Sequence, residues 1–228
     1  MSILSLRPNA EQIVFEVSSE KNTLQLTGLD ESIAEYGNNL APDAKYMTQF
    51  TIKVFAVDGD GVNVMDIGFL EGIYFEAEEL MMDELSFTML CDMVSQDVYK
   101  MAEAITDKRG IVDPFICPPE ENIVYVRKLY VEEECRGLGV GQYIINNLRA
   151  LLTHSLNLDY YICILAPYPQ TKTGNDTAET ETDGINEKIA SLIRFYEKAG
   201  FSRMQGSEYM YRKRNDLVDQ FFDSFLDD

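Results

Sequence analysis

A chain of 228 residues, 46% hydrophobic and 25% charged, has the length and balance of a globular protein with a real core, in one generous domain or two small ones. The formal net charge of −20 argues against DNA, RNA and anionic membranes as partners and leans towards cationic small molecules or basic protein segments, although it also serves plain solubility. No apolar run reaches the roughly 18 residues of a spanning helix, and Met1–Ala10 lacks the apolar centre of a signal peptide, so a cytoplasmic protein is expected.

Residues 11–17 and 23–27 read as a short hairpin, and the polar stretch Asp30–Ala44 follows with weak helical character. Residues 46–57 and 62–77 are two strands around Asp58-Gly59-Asp60-Gly61, a tight turn. The two aspartates resemble the start of a calcium loop, but Val62 and Val64 stand where the next ligands belong. From Glu78 to about Asp107, Leu80, Leu85, Met89, Met93, Val98, Met101 and Ile105 recur at helical spacing and predict one helix whose methionines are core. Pro114, Pro118 and Pro119 enforce a loop. Residues 123–131 are the strongest strand in the chain, and 139–153 is an amphipathic helix. A strand at 159–165, a polar lid-like loop over Gln170–Asp183, a helix at 185–199 and short strands near 201–204 and 208–213 complete the order.

The predicted class is mixed α/β: one largely antiparallel sheet flanked by helices, in a single domain over 1–228. Within it, 1–120 supplies hairpins and a helix, 121–213 the core, and 214–228 an amphipathic C-terminal helix. Leu217, Val218, Phe221, Phe222, Phe225 and Leu226 make an apolar face on that tail, which must be buried against the body or against a second subunit as a homodimer contact. Cys91, Cys117, Cys135 and Cys163 lie far apart and His154 is the one histidine, so neither a disulfide framework nor a metal site is expected.

The informative segment is 126–148. A β-branched strand runs into a turn with Gly137, Gly139 and Gly141 at alternate positions, then directly into a helix. Glycines permit the sharp turn and the helix start leaves N–H groups unpaired, with partial positive charge behind them. Arg136 adds a full charge, and together these make a cradle for phosphate or pyrophosphate. No Lys-Ser or Lys-Thr follows the glycines, which excludes a Walker loop, and Gln142 and Ile144 break the dinucleotide fingerprint G-x-G-x-x-G.

The pattern R-x-x-G-x-G after a strand resembles the acetyl-CoA pyrophosphate loop of the GNAT N-acetyltransferase superfamily. A second element, Arg194-Phe195-Tyr196-Glu197-Lys198-Ala199-Gly200-Phe201, resembles that superfamily's later hallmark, with Gly200 ending a helix. The resemblance covers roughly 121–213. It implies a splayed parallel pair, strands 123–131 and 159–165, with acetyl-CoA as co-substrate between them. Backbone groups of Leu129 and Val131 would take the pantetheine arm, and the amides of Arg136, Gly137, Leu138, Gly139, Val140 and Gly141 the pyrophosphate. Tyr196 would be the general acid towards the leaving sulfur, and the acceptor a primary amine of a small molecule or a protein. Glu121, opening the strand, is the candidate base; Glu132–Glu134 read as a solvated turn.

There are departures from the family pattern. Ile189 stands seven residues before Tyr196, where an asparagine is common. The usual helix pair between the first two strands is missing, and the helix 78–107 lies between the third and fourth. An alternative therefore stands beside the enzyme: a GNAT-fold module that binds acetyl-CoA, turns over weakly or not at all, and acts through protein interaction.

Overall fold

A computed structural model of the protein describes residues 12–20, 46–83, 85–170 and 182–214. Three long strands come first: β1 (Gln12–Glu20), β2 (Met47–Val57) and β3 (Asn63–Phe75). β1 pairs antiparallel with β2 along its whole length, 12–20 against 49–57; the predicted strand 23–27 lies outside the described residues. The β2–β3 hairpin turns as expected. Gly61 adopts φ +77°, and the Asp58 carboxylate accepts the N–H groups of Asp60 and Val62 at 3.0 and 2.9 Å.

The expected helix 78–107 is three helices: α1 (Ala77–Met82), α2 (Phe87–Asp92) and α3 (Gln96–Ile105). Ser86 caps α2 by accepting the Met89 N–H, and Ser95 starts α3 in extended backbone. The apolar spacing is right across the whole stretch because all three helices press the same sheet face, but each serine restarts the helix.

β4 (Ile123–Val131) has its predicted limits. After a short 3-10 turn at Glu133–Cys135 come α4 (Val140–Asn146) and α5 (Leu148–Leu156), which divide the predicted 139–153 helix at Asn147. β5 is only Ile162–Leu165, α6 spans Thr182–Lys198, and β6 (Ser202–Arg203) and β7 (Met210–Lys213) finish the sheet. The polar loop falls largely on 171–181 and the amphipathic tail on 215–228; both lie outside the described residues.

Among the described residues the sheet has seven strands in the order β1-β2-β3-β4-β5-β7-β6, antiparallel except for the β4–β5 pair. This is the arrangement that the acetyltransferase resemblance implies. Alternation along β4 separates two cores. Val124 and Val126 face α4, α5 and Tyr196, whereas Ile123 and Tyr125 face the α1–α3 layer, together with Phe75, Leu90 and Met101. No helix among the described residues is long and apolar enough to cross a membrane.

Candidate active site where two parallel strands part

β4 is sheathed on both edges only at its start. Ile123, Val124, Tyr125 and Val126 pair with β5 as far as Leu165, while the β3 ladder continues to Val131. The parting coincides with an irregularity on β4: Gly72 faces Val126 and Glu71 faces Lys128, leaving Arg127 unmatched. An extra residue of this kind bends a strand and raises its twist, which turns β4 away from the short β5. The Arg127 side chain reaches Asp97 of α3 at 3.6 Å.

Beyond the parting, the open edge of β4 has a definite polarity. Glu132 donates its N–H to the Ile67 carbonyl at 2.9 Å. By the alternation of an antiparallel ladder, Tyr130 and Lys128 turn their backbone groups to β3, and Leu129 and Val131 turn theirs outward. Arg136 already uses one of these: its Nε donates to the Val131 carbonyl at 3.0 Å, with the guanidinium 5.8 Å from the Tyr130 ring centre.

Gly137 and Gly139 sit at φ +74° and +87°, left-handed backbone that explains the residue type. Gly139 is also the N-cap of α4. Gly141 has a different reason: a Cβ there would come within 3.3 Å of Phe195 on α6, so it lets the two helices close. Among the described residues, the backbone N–H groups of Gly137, Leu138, Gly139, Val140, Gly141 and Gln142 donate no hydrogen bond; the first N–H of this helix to find an acceptor is Tyr143, on Gly139. Six successive unpaired donors are what an anion needs.

These elements enclose a cavity of about 610 Å³, within the usual range for ligand sites. Its floor is Leu129, Tyr130 and Val131. One wall is Cys135–Gln142, and the other is α6 with Lys188, Ser191, Phe195, Tyr196 and Lys198. Arg136, Lys188 and Lys198 make the lining cationic in a chain of net charge −20. Lys188 escaped the sequence reading, although it shares a helical face with Phe195 and Lys198.

Tyr196 lines this cavity and is 6% exposed, its ring set edge-on against Phe195 and Phe201 at 5.0 and 5.8 Å. Burial, with the Cys163 thiol beside it as a lesser cause, holds its hydroxyl above the ordinary tyrosine range. The segment that carries it is fixed by a Schellman cap. Phe201 N–H donates to Tyr196, Gly200 N–H to Glu197, and Gly200 has φ +83°.

Glu121 lies away from this cavity. It stands before the other end of β4, its carboxylate 3.7 Å from Arg214, and it does not line the cavity. Eight residues of extended chain, roughly 26 Å, separate it from Leu129. Among the described residues no carboxylate lines the cavity; a second cleft of about 490 Å³ is lined by Glu16, Asp66, Glu71 and Glu132, with Lys53 and Phe69. Phe69 lines that cleft, Tyr130 lines the cavity, and their ring centres are 5.6 Å apart.

No protein-family model and no curated protein matches the sequence. Solved structures align with it at low identity. The KacTA–DNA complex covers 93% of this chain and 99% of its own at 12% identity, with a TM-score of 0.42. The Arabidopsis thaliana NAA60 complex with acetyl-CoA covers 88% and 95% at 16% identity and 0.36. Mutant forms of the spermidine/spermine N-acetyltransferase SpeG from Vibrio cholerae cover 92% and 99% at 11% identity and 0.34. Similarity at this level adds no argument about chemistry to the geometry.

Proposed function

We propose that the protein is an acetyl-CoA-dependent N-acetyltransferase, with the donor along the open edge of β4 and a cationic primary amine entering from the acidic cleft. The observation that carries this reading is the run of six unpaired N–H groups, 137–142, at the mouth of a parallel pair that parts. A diphosphate on those donors would leave its pantetheine arm to lie beside Leu129 and Val131. The Leu129 backbone groups and the Val131 N–H extend it as a strand would, while the Val131 carbonyl keeps Arg136 in place.

The acceptor nitrogen attacks the thioester carbonyl, the C–S bond breaks, and the electron pair leaves on sulfur. A hydroxyl held above the ordinary range stays protonated, which suits Tyr196 as the donor to that sulfur. A thiolate of pKa about 8.5 is the weaker base, so Tyr196 acts mainly by hydrogen bonding as charge develops. An alkylammonium of pKa near 10.4 is neutral in only about one molecule in a few thousand at pH 7. Its proton has carboxylates to go to in the cleft, where Glu71 and Glu132 take the part first assigned to Glu121. Four carboxylates there also favour a cation over a neutral amine.

Mixing the protein with acetyl-CoA and a panel of polyamines, aminoglycosides, amino acids and basic peptides should release free thiol with at least one of them. Tyr196→Phe should then lower turnover about 100-fold or more with acetyl-CoA affinity nearly unchanged. Acetyl-CoA binding without thiol release across the panel would favour the second reading, a binding module, which the lack of a lining carboxylate among the described residues supports. No binding of CoA or acetyl-CoA by calorimetry would end both.

A further inference from the structure

The wall that α6 gives to the cavity is one helical stripe. Lys188, Ser191, Leu192 and Phe195 follow at steps of three and four, with Tyr196 beside the last. Phe195 marks the level of the glycine turn, since a Cβ on Gly141 would stand 3.3 Å from its ring. Lys188 lies two turns nearer the start of α6, about 11 Å along the axis. Helical side chains lean towards the N-terminus, which carries its stem further from Phe195.

Nothing on α6 accounts for this charge. The positions three and four residues from Lys188 are Gly184, Ile185, Ser191 and Leu192, none of them acidic, and Glu187 does not line the cavity. Among the described residues the Lys188 ammonium makes no ion pair and no hydrogen bond. The other lysine of the wall, Lys198, has a local role: it lies in the last turn of α6, where a cation meets the carbonyl end of the helix. Arg136 is tied to the Val131 carbonyl. Among the described lining residues, Lys188 is therefore the cation left for a ligand, in a chain with 39 acidic and 19 basic residues.

The donor read for this cavity carries two anionic groups. In CoA the diphosphate and a 3′-phosphate hang on the same ribose. The N–H groups of 137–142 suit the diphosphate. The phosphomonoester brings a charge of about −1.5 to −2, one sugar ring away. An ammonium answers such a group as a point charge with three donors.

We infer that Lys188 binds the 3′-phosphate and makes the protein select CoA thioesters over their 3′-dephospho forms. The inference rests on the acetyl-CoA reading and adds which part of the donor is checked.

Calorimetry on the full chain with CoA and with 3′-dephospho-CoA tests it. The native chain should bind CoA about tenfold or more tighter. Lys188→Gln, at an exposed position, should weaken CoA binding about tenfold and leave dephospho-CoA nearly unchanged. Lys188→Arg should keep the preference. Lys100→Gln, the same change of charge at an exposed position on α3, should alter neither affinity. Equal affinity for the two ligands in the native chain overturns the inference and leaves the acetyl-CoA reading standing. A Lys188→Gln chain that prefers CoA as strongly as before, or that loses both ligands alike, also overturns it. Heat from neither ligand removes the donor reading and the inference with it.

Discussion

The two halves of β4 share one strand and one sequence style, yet they have opposite fates. Residues 123–126 are paired on both edges and 0–3% exposed, whereas 127–131 are paired on one edge and partly open. The first half is scaffold, with side chains feeding both cores. The second half is scaffold on one edge and an unfilled ladder on the other. On the proposed reading a strand becomes a ligand site by losing a neighbour, without any special side chain of its own.

The largest effect that would break this contrast is expected in the closed half. Val124→Asp puts a carboxylate in the apolar cluster of Val126, Leu148 and Cys163, and should cost about 4 kcal/mol in urea denaturation. Alkaline titration probes the buried cores on both faces of the sheet. Burial raises Tyr125, Tyr160 and Tyr196 above the ordinary tyrosine value near 10. Above that value the unfolded chain releases protons that the folded one keeps, so stability should be intact below about pH 10 and fall as pH rises beyond it. Circular dichroism across that range measures it, and stability flat to pH 12 would contradict it.

The open half should respond in affinity rather than stability. Gly139→Ala meets no neighbouring atom within 4 Å and costs only its left-handed backbone, about 1–2 kcal/mol. By twisting the donors out of line it should weaken acetyl-CoA binding by about tenfold or more in calorimetry. Arg136→Gln should do least, about threefold, because its Nε is already engaged by Val131; the loss should shrink further in high salt.

What the sequence told about this site was whatever a single segment carries alone. The limits of β4, the glycine turn and the Gly200 cap each follow from local chemistry. The breaks in the helices were also legible, in Ser86 and Ser95, but the unbroken apolar spacing outweighed them. The Arg127 irregularity leaves no mark on the alternation of 123–131, since it exists only relative to β3. The acidic cleft is of the same kind: Glu16 on β1, Asp66 and Glu71 on β3, and Glu132 just past β4 meet through register. Glu121 shows the converse, because nearness to a strand does not say which end of it lies at the cavity.

Arg212 on β7 donates to the Ile145 carbonyl at the end of α4, 2.8 Å away, and to Ala199 just past α6, at 3.0 Å. One guanidinium thus ties the tail of α4 to the tail of α6, which itself lines the cavity through Phe195, Tyr196 and Lys198 opposite the front of α4. The spacing of the two walls is therefore set in part from β7, none of whose residues lines the cavity.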